Sequence, residues 1–232
     1  MFYGTILSIV IVMKVQIFID GGNFHHLALR PLGLKEKDFN FDAFAEFIAD
    51  GRDISYMGKR YYIGTVRERE GDEHSKEAMS KQVQFFNELK KTSWQIKTSK
   101  LRERKERIVI DGRVDNHKHI LKCGIHEIYY ITLREKGIDV KIATDLVAAT
   151  IDKKCDTAII VSSDTDLVPI IDWVRFRFQQ KVEYVGFSIP DKSGRGNDIR
   201  PTNSLVSRTD VQRVLVESDV RRFLKPVDTL TP

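Results

Sequence analysis

Cysteine is scarce in this chain: Cys123 and Cys155 are the only two among 232 residues. Two thiols cannot build the disulfide framework of a small secreted domain, and their spacing matches no zinc site. A reduced, cytoplasmic setting is the expectation. Long hydrophobic runs are also missing. The apolar stretch at residues 5–13 spans about half of the roughly 20 residues that a membrane helix needs. No basic segment precedes it and no small-residue cleavage site follows it, so no membrane is expected among the partners. Residues 1–13 read as an N-terminal extension, an extra strand or a loose segment, with Met13 as an alternative start. The phosphate-binding loops of common nucleotide enzymes are absent, since neither G-x-G-x-x-G nor Gly-Lys-Ser/Thr follows any strand. There is no internal repeat and no low-complexity tract. Nor does one sign of charge dominate: 38 basic against 33 acidic residues leave +5, with a pI near 9.1. Such a balance permits a polyanionic partner without demanding one.

What remains is the composition of a globular protein long enough for one ordinary domain with a full core. Short apolar runs recur, each bounded by turn or cap residues. Residues 158–162 form one, and it stops at Ser162, Ser163, Asp164 and Asp166. Leu167, Ile170, Ile171, Val174 and Phe178 then follow at helical spacing, with Pro169 tolerable near the first turn. Residues 15–19 form a second run, ending in Asp20-Gly21-Gly22-Asn23, and residues 182–187 a third. Strands are also expected at 58–66 and 94–98. Helices are expected from Asn23 to about Leu29 and over residues 41–48, 73–91 and 140–153. This alternation predicts parallel strands joined by right-handed crossovers, in an α/β three-layer α/β/α sandwich with a mainly parallel central sheet. The segment at about 203–224 should pack back on that sheet. Residues 14–232 are read as a single domain.

The acids give this frame a chemistry. Asp20 and Asp164 both fall at carboxyl ends of strands, the edge of an open α/β sheet where ligands bind. Asp145 lies three residues after Ile142 and four before Ala149, on an otherwise apolar helical stripe. A carboxylate there costs several kcal/mol unless it is paired or metal-bound. Asp139 is placed to cap the same helix, and Asp166 hangs one turn below Asp164. Carboxylates without accompanying Cys or His form a hard-oxygen site suited to Mg²⁺ or Mn²⁺, the apparatus of phosphodiester hydrolysis. Asn23 with Ser162 or Ser163 could orient water or a phosphate. Residues 97–122 differ in being dense in Lys and Arg around a turn signal at Asp111-Gly112. They read as a basic β-hairpin, with 107–110 returning through Arg113 and Val114. Arg102, Arg104, Lys105 and Arg107 of this arm, with Lys136 and Lys141 near the helix start, are the candidate contacts to RNA phosphates. A solvated charged loop is the competing reading.

Three motifs in order, Asp20-Gly21-Gly22-Asn23, Lys136-Gly137-Ile138-Asp139-Val140 with Asp145, and Asp156 through Val161-Ser162-Ser163-Asp164-Thr165-Asp166, resemble those of NYN domains. These are LabA-like members of the PIN-like nuclease superfamily. The resemblance implies a metal-dependent ribonuclease with Asp20, Asp145, Asp164 and Asp166 at the metal-binding positions and Asp139 and Asn23 close by. It implies RNA, single-stranded or structured, as partner, and leaves self-association open. Ser163 stands where many relatives have glycine, and the long insert at about 62–127 is not fixed by the family. A catalytically silent RNA- or protein-binding module with the same fold is the alternative. A phosphohydrolase of small esters fits poorly, because the turn after Asp20 lacks a second aspartate two residues on. Nothing in the sequence reads a 2′-hydroxyl, so DNA stays open as a substrate.

Overall fold

The computed structural model describes residues 13–226, apart from 67, 69, 70, 136 and 193–195 and the side chains of 102 and 133–135. Most of the N-terminal extension therefore lies outside the described residues. Seven strands form: β1 (Lys14–Asp20), β2 (Asp53–Thr65), β3 (Gln95–Val109), β4 (Glu127–Glu135), β5 (Thr157–Val161), β6 (Lys181–Ser188) and β7 (Val211–Val216). Eight α-helices accompany them: α1 (Gly21–Phe24), α2 (Phe41–Ala49), α3 (Glu73–Lys91), α4 (His117–Lys122), α5 (Ile138–Ile151), α6 (Val168–Phe178), α7 (Asn203–Arg208) and α8 (Glu217–Arg221). The strands make one sheet in the order β4-β3-β2-β1-β5-β6-β7. Every neighbouring pair is parallel except β3 with β4. The expected α/β sandwich is thus the observed one.

Alternation along β1 builds both halves of the core. Val15, Ile17 and Ile19 point to one layer, where Phe41, Phe44 and Ile48 of α2 meet Phe85, Phe86 and Leu89 of α3. Phe18 points to the other, joining Ile142, Leu146 and Ala149 of α5 and Ile171 and Val174 of α6. A strand roofed on both faces must be apolar throughout, and β5 is buried at all five positions. Pro169 sits in the first turn of α6, where its missing N–H costs nothing.

The structure corrects the arm. β3 runs on to Val109, well past the expected strand, and its partner is β4, paired from Leu101↔Glu135 to Val109↔Glu127. Arg113 and Val114 belong instead to the tip, where α4 follows a tight turn whose Val114 N–H donates to the Asp111 carbonyl. β2 also starts earlier than expected, at Asp53, and its pairing with β1 shifts register near Met57, which has φ 55°. The C-terminal segment does more than pack on the sheet: β7 extends it, and Phe223 meets Phe39, Phe44 and Phe47. Among the described residues no helix is long and apolar enough to cross a membrane.

The turn after β1 is fixed by its surroundings. The Phe24 ring lies 5.2–5.7 Å from Phe39, Phe41, Phe44 and Phe187, which nails α1 into the core. α1 then runs on through a π turn at His25–Leu29, with the Arg30 N–H reaching back to the His25 carbonyl. A 3-10 turn over Arg30–Leu32 ends at Gly33, with φ 68°. Gly21 sits against the buried Tyr61 ring, and a Cβ there would come within 2.6 Å of it. Gly21→Ala should therefore force α1 off the sheet and cost about 1–3 kcal/mol in urea denaturation. A midpoint equal to wild type would show that the close approach is not real.

Candidate metal and phosphodiester site

β1 and β5 lie side by side, with Ile19 opposite Val161, so the acids that follow them meet at one edge of the sheet. Asp20 caps α1: its carboxylate accepts the backbone N–H of Asn23 at 3.0 Å and the Asn23 side-chain amide at 2.6 Å. Ser162 Oγ donates to it across the strand boundary at 3.4 Å. Ser163 Oγ donates to Asn23 Oδ1 at 2.5 Å, so the amide of Asn23 is held from both strands. Asp164 accepts the Asp166 N–H at 2.8 Å, and its own N–H donates to Ser162 Oγ at 3.1 Å. Capping and clustering are thus done by the same carboxylates.

The third acid is Asp139. The cap of α5 is Gly137, at φ 82°, which corrects the capping role expected of Asp139. Asp139 is left in the first turn, on the same cleft as Asp164. Asp20, Gly22, Asn23, His26, Leu101, Ile138, Asp139 and Asp164 line one open cleft of roughly 410 Å³. Burial, followed by the charge and hydrogen bond of Asp164 and the charge of Asp20, raises Asp139 to about 6. Burial also raises Asp20, against hydrogen bonds from Asn23 and Ser162 that pull it down.

Two expected members stand elsewhere. Asp145 lies six residues beyond Asp139 on the same helix, about 240° round its axis at 100° per residue. There it accepts Tyr62 OH at 2.8 Å and faces Arg60 at 3.7 Å and Lys97 at 3.6 Å. Two cations and a phenol meet the requirement that its apolar surroundings impose, so no metal is needed to explain it. Burial and the Asp145 charge push the Tyr62 phenol well up. Asp166 is exposed and does not line the cleft.

The described members of the expected RNA contacts, Arg104, Lys105, Arg107 and Lys141, do not line the cleft either. Arg104, Lys105 and Arg107 line a shallow surface groove with Glu106, and Arg107 is paired with Glu127. Lys141 donates to the Thr98 carbonyl at 2.7 Å, tying α5 to β3. Lys136 and the Arg102 side chain lie outside the described residues. Sequence reasoning missed His26 and Leu101. His26 follows Asn23 by three residues on one helical face, a spacing that could have found it. Burial and the nearby His25 and Arg30 lower its pKa.

The donors fit a hard divalent cation in kind. Asp20, Asp139, Asp164 and Asn23 Oδ1 offer only oxygen, and burial, with the charges of Asp164 and Asp20 added to it, holds Asp139 well above its ordinary value, as expected where a counter-ion belongs. Among the described residues, no three Asp, Glu, His or Cys side chains converge closely enough to wrap an ion as they stand.

A family model described as NYN domain matches residues 14–198. Members of that family are generally nucleases, which supports nuclease chemistry in coarse terms. They also generally use divalent metal ions. Among solved structures, a protein of unknown function from Vibrio parahaemolyticus is similar to this chain at 17% identity and a TM-score of 0.50. The alignment covers 88% of this chain and 93% of that one. At that identity the likeness concerns the fold alone. No curated protein matches the chain.

The two helical acids should respond oppositely to removal of charge. Asp139 is raised from 3.8 to about 6, so the folded state holds its proton more tightly than the unfolded chain. Its ionisation costs stability that is absent below pH 3.8, grows towards pH 6 and stays constant above. In EDTA, Asp139→Asn should therefore stabilise the protein at pH 7.5 by about 1 kcal/mol, after discounting for solvent screening, and by nothing at pH 3.5. Asp145→Asn strips the counter-charge from Arg60 and Lys97 and should destabilise by roughly 1–3 kcal/mol at pH 7.5. Urea denaturation of both variants at the two pH values checks the signs.

Proposed function

The chain belongs to the NYN domain family, and on that footing we propose that it is a metal-dependent ribonuclease hydrolysing RNA phosphodiester bonds at the cleft between β1, β5 and α5. The observation that carries this reading is the confrontation of Asp20, Asp139 and Asp164 in one open cleft, with Asp139 raised to about 6 by burial and its acidic neighbours. A surface that only bound RNA would gain nothing from three carboxylates facing the phosphates. Asp20, Asp139 and Asp164 would hold Mg²⁺ or Mn²⁺. When bound, the ion would supply a hydroxide nucleophile at neutral pH and shield charge on the phosphate oxygens.

The chain's own groups have definable work. Asn23, fixed by Asp20 and Ser163, presents its amide to the cleft and orients water or a phosphate oxygen. Ser162 keeps Asp20 and the Asp164 backbone in register. Asp166, exposed beside Asp164, acts through water. Asp145 anchors α5 to the sheet through Tyr62, Arg60 and Lys97, and so sets where Asp139 stands. Arg104 and Lys105 of the arm contact the RNA backbone away from the cut, with Arg102, Arg107, Lys136 and Lys141 as the further basic candidates.

Incubation of end-labelled single-stranded RNA and DNA with Mn²⁺ or EDTA tests the assignment. Cleavage of RNA that needs the metal is expected, with a loss on the order of 100-fold or more in Asp164→Asn. Cleavage that survives EDTA and the substitution would remove the metal site. RNA retained on a filter without cleavage under any condition would favour the binding module. For the arm, replacing Arg104 and Lys105 together with Ala should weaken RNA binding and flatten its salt dependence by about two ions. An unchanged salt slope would return the arm to a solvated loop.

A further inference from the structure

The acidic cleft has a neighbour on the side of α1. His26 lines it and also lines a second pocket of roughly 550 Å³, so the two pockets adjoin at His26. One wall of this pocket is His26, Arg30 and Pro31, from the π turn that continues α1 and the 3-10 turn after it. The facing wall is Ile189, Pro190 and Ile199, pinned by a two-way backbone bridge, Ile189 N–H to Ile199 O at 3.1 Å and the return bond at 2.9 Å. The charges on the rim are unequally committed. Lys192 is paired with Glu217 at 2.8 Å, and the Asp191 carboxylate accepts the Asn197 N–H at 3.1 Å. Arg30 is exposed and pairs with no carboxylate among the described residues; its recorded partner is His26 Nδ1 at 3.4 Å.

We propose that this pocket is a nucleotide subsite, in which Arg30 binds the RNA phosphate next to the one being cut and the nucleoside lies against Pro31, Ile189, Pro190 and Ile199. The inference rests on the ribonuclease reading and adds the path of the strand to it. A polyanion entering a cleft of three carboxylates meets repulsion everywhere except where a cation is held. The neighbouring phosphate needs its own positive partner, and Arg30 is the guanidinium in the adjoining pocket, against the His26 that the two pockets share. A lining that mixes apolar side chains with Arg30, its Asp191 and Lys192 already engaged with Asn197 and Glu217, suits a nucleoside phosphate of any base, so contact here should be sequence-tolerant. A substrate without a nucleotide on that side forgoes it.

Kinetics on two substrates separate this subsite from the chemistry. Wild type, Arg30→Ala, Arg30→Lys and Arg177→Ala, an exposed charge at the far end of α6, are compared on a labelled single-stranded RNA and on bis(p-nitrophenyl) phosphate with Mn²⁺. The small diester cannot reach the pocket. Arg30→Ala should raise KM for RNA about tenfold with kcat within about twofold, and lower the salt slope of RNA binding by about one ion. It should leave hydrolysis of the small diester unchanged. Arg30→Lys should recover most of the loss, and Arg177→Ala should behave as wild type. An RNA KM unchanged in Arg30→Ala, or a parallel fall on the small diester, would overturn the subsite. Wild type that binds RNA but cleaves neither substrate would sink the nuclease reading alone, and the anisotropy of RNA bound by Arg30→Ala would then decide the subsite. An RNA that does not bind at all removes both.

Discussion

Like charges do not share a cleft willingly, and the architecture around β1 and β5 is what compels them to. Asp20 is held by the Asn23 amide and by Ser162, Asp164 by the turn it caps, and Asp139 by the first turn of α5. Asp20 and Asp164 cannot swing away without giving up the cap that defines where a helical turn begins, and Asp139 is carried by the helix that Gly137 caps. The repulsion adds instead to the burial that raises Asp139 to about 6. The same constraint explains the dense aromatic support of α1. Phe24 sits among four rings because the helix that Asp20 caps must stay in place against its acidic neighbours.

Much of the sandwich could be read from residue order, and the reasons are physical. Helix α3 over Glu73–Lys91 and strands such as β5 advertise themselves because one stripe, or both faces, must be apolar. β4 was invisible for the opposite reason. Its side chains Ile128, Tyr129, Tyr130 and Ile131 are all exposed in some degree, on both faces of the arm, so burial imposes no alternation on it. β7, an edge strand with only Leu215 buried, hides in the same way.

The site was legible in part. Strand ends told where Asp20 and Asp164 would be, and periodicity showed that Asp145 needed a partner. Periodicity could not say which partner, because Arg60 and Lys97 come from other strands and meet Asp145 only through the sheet order. Asp139, which spacing explains as a cap and only the family resemblance brings near the metal, lines the cleft while glycine takes the cap with a backbone angle that sequence spacing does not display. Of two acids on one helix, the one that looked better explained by local structure is the one in the cleft.

The position of β1 in the sheet also has a consequence in time. The chain lays β1 down first, builds outward to β4, and only then returns to place β5 on the other side of β1. Asp20 and Ser162, which touch in the finished protein, are 142 residues apart in the chain. A polypeptide still leaving the ribosome carries Asp20, with Asn23 to hold it, long before it carries Ser162 or Asp164. The assembled site is therefore a late product of folding, sensitive to sequence-distant contacts that form slowly. Until β5 is in place, the edge that gathers Asp20 and Asp164 does not exist.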